Sequence, residues 1–123
     1  MPDIQPSGWT VRQDVIEAIG RYVSDGLAPG DFVRAVLAND LAGAVHRADA
    51  ENIHALRGII YHVQNEIPAG RHGTHRIVEA WIFYNSAMRQ TKELVHQDSL
   101  EDRQRLEARA LEVYLNAVKE AGR

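Results

Sequence analysis

The sequence predicts an all-α fold: a single-domain bundle of four to five helices that ends in a long C-terminal helical hairpin. Three observations carry that expectation. Apolar residues return every three or four positions from Val11 to Val118, which is the spacing of one helix face. No stretch alternates apolar and polar residues between hairpin turns, as a half-buried strand does. Caps and stops at Thr10, Gly26, Asp40, Asp49, Pro68, Thr74 and Ser99 divide the chain at helix-length intervals.

Thr10 and Gln13 have the spacing of a capping box, so the first helix is expected to begin near Val11. Its face is Val11, Val15, Ile16, Ile19, Tyr22 and Val23, and Gly26 supplies a left-handed stop. Phe32, Val33, Val36 and Leu37 begin the next face, which Leu41, Ala44 and Val45 continue. Between them, Asn39-Asp40 either interrupts the helix or caps a new one through the aspartate. Asp49 caps a third main helix that buries Ile53, Leu56, Ile59, Ile60 and Val63 and ends before Pro68, because the residue preceding proline is pushed out of helical geometry.

After a loop over residues 67–73, Thr74 starts a helix with Ile77, Val78, Trp81, Ile82 and Met88 toward the core, running to about His96. Asp98-Ser99 breaks it. Ser99 to Asp102 then restarts a helix with acids in its first turn, favourable against the helix dipole, and Leu106, Ala110, Val113, Ala117 and Val118 carry it to the C-terminus. Leu111, Tyr114 and Leu115 widen the apolar surface of that helix. They serve either as a seam between copies, making a homo-oligomer, or as a second packed side within the bundle.

A length of 123 residues suits one domain, assigned to residues 10–123, with a core large enough to need neither disulfide nor metal. Residues 1–9 are expected to form a flexible tail, since Pro2, Pro6 and Gly8 interrupt them and they lack the basic and apolar parts of a secretory signal. With 45% apolar and 25% charged residues the chain has the balance of a soluble protein, and no apolar run reaches the length of a membrane span. The absence of cysteine excludes thiolate metal sites and suits a reducing cytoplasm. The net charge of −3, with 14 basic residues dispersed among 17 acids, offers no continuous basic stripe for long nucleic acid. A few local arginines still suffice for one small phosphorylated ligand.

Pro29-Gly30 before an apolar helix, then Asn39-Asp40-Leu41, Arg47-Ala48-Asp49 with Asn52, Asn65, Pro68, and Gly73 ahead of Trp81 form a recurring pattern. In these residues the chain resembles small proteins of tailed phages and bacterial prophages. The resemblance covers under half of the chain and implies a phage or prophage context, in the cytoplasm of a bacterial host, without assigning an activity. Small accessory phage proteins commonly sequester or occlude a host component. The resemblance therefore points toward counter-defence or host takeover.

The segment Gly70-Arg71-His72-Gly73-Thr74-His75-Arg76 is the first candidate site. Its glycines let backbone amides face a ligand, Thr74 caps or donates, the following helix start is positive, and Arg71 and Arg76 add forks suited to phosphate or carboxylate. His72 and His75 flank the same loop. The plainer alternative is a solvated interhelical turn capped by Thr74. Arg47 and Asn52 form a second candidate, as the wall of a pocket, beside the alternative of capping plus an Arg47 ion pair with Asp49 or Glu51.

Six histidines raise the question of a metal, but His54 and His62 lie eight residues apart, about 12 Å along a helix. His62 with Glu66, and His72 with His75, lack a third ligand. No metal or cofactor is expected. Ser24, Ser86 and Ser99 have no nucleophile-elbow context, and no acid-base pair is legible. Binding is therefore expected in place of catalysis: sequestration of a small anionic ligand such as a nucleotide, or inhibition of a host protein through a helical face. A small helical enzyme with a site assembled from distant residues is the third reading.

Overall fold

The computed structural model describes residues 10–93 and 100–121, which are helical and contain no strand. Six α-helices follow in order: α1 Gln13–Asp25, α2 Asp31–Leu37, α3 Leu41–Arg47, α4 Ala50–Glu66, α5 His75–Glu93 and α6 Leu100–Ala121. A single 3-10 turn, Ala69–Arg71, lies between α4 and α5. The all-α expectation holds, and the count is six where four to five were expected. Asn39 is the cause. It takes a left-handed conformation at φ 59, which asparagine tolerates better than most residues. Asp40 then accepts the Gly43 N–H at 2.9 Å and starts a new helix, so one apolar stripe becomes two seven-residue helices.

The other caps divide into those the sequence located and one it misplaced. Asp49 accepts the Asn52 N–H at 2.8 Å and Thr74 Oγ1 accepts that of Ile77 at 3.1 Å, each closing a helix start as expected. Ile67 is extended before Pro68 and ends α4. Thr10 does not cap α1, which starts at Gln13 after an extended Arg12 with no side-chain cap. The Arg12 side chain is drawn sideways, to Asp14 and, across the fold, to Asp49 at 2.9 Å. The expected tail over residues 1–9, and the break and cap at Asp98-Ser99, lie outside the described residues.

The core gathers Val15, Ile19 and Tyr22 of α1, Val33, Val36 and Leu37 of α2, Ala44 of α3, Ile59 and Val63 of α4, and Val78 and Trp81 of α5. A smaller cluster joins Ile77 and Ala80 of α5 to Ala117 of α6. The pairing of α5 with α6 is the most extensive in the fold. It rests on small residues: Ala80 and Ala87 on one helix and Ala110 and Ala117 on the other, each pair two turns apart and almost fully buried. Arg76 near the start of α5 meets Glu120 near the end of α6 at 2.9 Å.

Side chains of α5 also close the end of α1. Trp81 Nε1 donates to the Tyr22 carbonyl at 2.8 Å and Arg89 Nη1 to that of Asp25 at 2.7 Å, while the Gly26 N–H also reaches Tyr22 O. Carbonyls in the last turn of α1 thus bind the helix that crosses them.

Burial corrects the sequence reading on two helices. Ile53 and Ile60 of α4, and Leu41 and Val45 of α3, expected in the core, are exposed. Only Ala44 of the expected α3 face is buried, because a seven-residue helix laid on α2 touches it through its small side, Gly43 and Ala44. On α6, Leu111 and Leu115 are exposed, whereas Tyr114 turns inward against Trp81 and Tyr84.

Candidate functional site

The residues from Gly70 to Arg76 form the bend between the 3-10 turn and α5, and internal contacts engage most of their side chains. The Arg71 guanidinium lies over the Trp81 ring, 4.4 Å from its centroid. The Arg71 carbonyl accepts the Tyr22 hydroxyl at 2.7 Å, and the Gly70 carbonyl accepts that of Tyr114. Gly73 donates its N–H to the Leu37 carbonyl at 2.7 Å, which ties the bend to the end of α2. Thr74 caps α5, as noted. His75 Nε2 pairs with Asp40 at 2.9 Å, and Arg76 pairs with Glu120.

His72 faces a shallow hollow with Gly70, Thr74 and Val118. Arg71 and Arg76 therefore turn to different neighbours, one to aromatic rings and the other to α6. Burial pushes the Tyr22 hydroxyl well above its ordinary value, with the neighbouring Tyr114 adding to the rise and the charges of Arg71 and Arg34 opposing it. Tyr114 is also raised, chiefly by burial, against the pull of Arg71.

Arg47 and Asn52 come together on one cleft between α1, the start of α2 and the α3–α4 junction. Asp49 and Glu51 pair with Arg12, at 2.9 and 3.7 Å, and not with Arg47. The sequence placed Arg12 in a capping turn, so nothing in the local pattern signalled a contact across 37 residues. Arg47 Nη1 reaches the Gly43 carbonyl at 3.3 Å, and its charge helps to lower the Asp40 carboxyl. Asn52 is buried, and its side-chain oxygen has no hydrogen-bond partner among the described residues.

Sequence reasoning missed a third feature, an apolar groove between α3 and α4. Val36, Leu41, Ala44, Ile60 and Val63 line it, with Asn39, Asp40 and Gln64 at its polar edge. Leu41 is 61% exposed, Val45 47%, Ile53 42% and Ile60 36%. Val45 follows Leu41 by one turn and Ile53 precedes Ile60 by two, so each pair shares a helix face. The available signal was the small side of α3: with Gly43 and Ala44 buried, Leu41 and Val45 face elsewhere.

Three carboxylates around these features sit below their ordinary value of 3.8. Asp14 is held there chiefly by Arg12, Asp40 by its bond to His75 and then the Gly43 N–H, and Asp49 by the Asn52 N–H and then Arg12. A carboxyl whose folded value is depressed binds fewer protons folded than unfolded, so its stabilisation is present above about pH 4 and lost as pH falls through the folded value. Tyr22 acts at the other end. Its raised value favours folding below 10.0, the ordinary tyrosine value, and that contribution is lost as pH rises above it. Melting temperature measured against pH is expected to decline below about pH 4 and above about pH 10, and Tyr22→Phe should flatten the alkaline decline relative to the parent. An unchanged alkaline limb in that variant would exclude Tyr22 as its source.

Among the described residues no group of three or more His, Asp or Glu side chains is arranged to hold a metal ion, and no helix is long and apolar enough to cross a membrane. Compared with protein-family models, with curated proteins and with solved structures, the chain matches none.

Proposed function

We propose that this protein acts by binding another protein, taking an amphipathic helix of its partner into the groove between α3 and α4. The observation that carries this reading is the exposure of Leu41 and Ile60 on the two sides of one groove, with Val45 and Ile53 exposed on the same two helices. Contiguous apolar surface of this kind on a soluble protein marks an interaction site, and two helices flanking an apolar floor match the helix-in-groove mode of recognition. The charges select the partner. Arg47 is exposed on α3, whereas the nearby acids Asp40, Asp49 and Glu51 are engaged by His75 and Arg12. The partner helix therefore carries acids beside its apolar stripe.

The resemblance to phage and prophage proteins makes that partner a host protein, and the effect inhibition or takeover by occlusion. No catalytic step belongs to this reading. Sequestration of a small anion by the Gly70–Arg76 loop is the weaker reading, because such a ligand must compete with Glu120 for Arg76 and with Asp40 for His75. In this reading α5 and α6 form a C-terminal hairpin that completes the bundle. Exposed Leu111 and Leu115 offer the face through which copies of the chain would associate.

The test uses two synthetic helical peptides with the same leucine stripe, one flanked by glutamates and one by lysines, titrated calorimetrically. The glutamate peptide is expected to bind at least about tenfold more tightly. Leu41→Asp or Ile60→Asp should each weaken it by about tenfold or more, since burying one such side chain contributes about 1.5–3 kcal/mol. Melting temperature should stay within a few degrees of the parent, as both side chains face solvent. Equal binding of both peptides, or full binding by both variants, overturns the proposal. Light scattering of the free protein reads self-association separately.

A further inference from the structure

The cleft holding Arg47 and Asn52 carries chemistry that groove docking does not use. Its volume is about 300 Å³, the size at which small-molecule sites begin. Val15, Ala18 and Phe32 give it apolar surface, and Asp14, Asp31, Arg47, Asp49 and Asn52 give it polar groups, Asp14 and Asp49 being paired with Arg12. Arg12 also lines it, but its charge is spent on Asp14, Asp49 and Glu51.

Asn52 is the most telling member. It is 6% exposed, and its side-chain oxygen is buried with no hydrogen-bond partner among the described residues. The fold uses only its backbone, whose N–H closes the cap on Asp49. A buried amide oxygen without a donor costs stability, and such a group in a native protein calls for a donor, from an ordered water or from a ligand. Rotation of the terminal amide brings either of its ends to the cleft. Two further groups have unused capacity. Asp31 pairs with no cation among the described residues, and Arg47 pairs with no acid among them, only with the Gly43 carbonyl.

These groups outline the chemistry of a ligand. It must present hydrogen-bond donors to two acceptors, a flat apolar body to Phe32, and an anion to Arg47. Guanine carries two adjacent kinds of N–H donor on one edge, whereas adenine offers only its single amine there. A mononucleotide fits the volume. We propose that the cleft binds a guanine mononucleotide, with base N–H groups donating to Asn52 and Asp31, the ring against Phe32, and the phosphate on Arg47.

The cleft shares no lining residue with the docking groove, although Arg47, which faces the partner helix in that reading, belongs to the cleft. Calorimetric titration of the full chain with GMP, guanosine, AMP and inorganic phosphate tests it. GMP should bind, with guanosine and AMP each at least about tenfold weaker and inorganic phosphate weaker still. Arg47→Ala should bring GMP to the guanosine level and leave guanosine unchanged. Asn52→Ala should weaken GMP by at least about tenfold while the melting temperature stays level or rises, because an unpaired buried oxygen is removed.

If Asn52→Ala does not fold, Asp31→Asn at an exposed position carries the same test, through loss of the preference for GMP over AMP. Ile60→Asp, outside the cleft, should bind GMP as the parent does. The proposal is overturned if GMP gives no heat at millimolar concentration, if AMP or inorganic phosphate binds as tightly as GMP, or if Asn52→Ala keeps full GMP affinity.

Discussion

Replacing Trp81 with alanine is expected to lower the free energy of unfolding by about 3–5 kcal/mol, among the largest losses of any single substitution in this chain. Trp81 is buried where α1, α5 and α6 meet the bend before α5. Its ring stacks on Tyr84 at 5.9 Å between centroids and meets Tyr114 at 5.2 Å, with the Arg71 guanidinium over it. Its indole N–H closes the end of α1 through the Tyr22 carbonyl. Alanine removes the ring from all of these contacts and leaves a cavity among side chains that are themselves held elsewhere, Tyr22 by Arg71 O and Tyr114 by Gly70 O.

Trp81→Phe separates the contributions. It keeps most of the ring contact and loses the indole hydrogen bond, for an expected cost of about 1–2 kcal/mol. Denaturant unfolding followed by circular dichroism reads both variants without relying on tryptophan emission. A loss below about 1 kcal/mol for the alanine variant would show that the junction is held by its other members.

The ends of helices were legible because their causes are local. Asp40, Asp49, Thr74, Gly26 and Pro68 act on backbone groups within four residues, and the spacing that announces them lies in one short string. Arg12 shows where this stops. Its partner Asp49 lies 37 residues away, so a side chain that the sequence placed in a simple capping turn instead joins α1 to the start of α4.

Periodicity likewise finds a face without saying what covers it. Ile53 and Ile60 lie about 90° around α4 from Ile59 and Val63, so the first pair is exposed and the second buried, because only one side of a broad apolar stripe meets the core. The candidate loop was found for its composition, and the residues that occupy its Arg76 and His75, Glu120 and Asp40, come from α6 and from the α2–α3 turn. Arg47 and Asn52 were found as a dense polar set five residues apart. Their shared cleft needed α1 and α2 to bound it.

Gly26→Ala is expected to cost about 2–4 kcal/mol, for two reasons that a second substitution can separate. Gly26 ends α1 at φ 65, where an L side chain is strained by about 1–2 kcal/mol. It also faces α5 so closely that an added Cβ overlaps the side chain of Asn85. Asn85 cannot simply swing away, since its Nδ2 donates to the Trp81 carbonyl at 2.9 Å and its Cβ, fixed to the helix, is among the overlapping atoms. Relieving that overlap requires α1 and α5 to part, which strains the bonds from Trp81 and Arg89 to the last carbonyls of α1.

Forcing extra atoms into such a contact costs about 1–3 kcal/mol. Asn85→Gly removes the obstacle, and its own cost is measured alone. In a double-mutant cycle followed by denaturant unfolding, the pair is expected to be more stable than the sum of the single effects by about 1–3 kcal/mol, leaving the backbone strain at position 26 as the residue. Strict additivity would assign the whole effect to that strain and show that α5 yields to a side chain at this position.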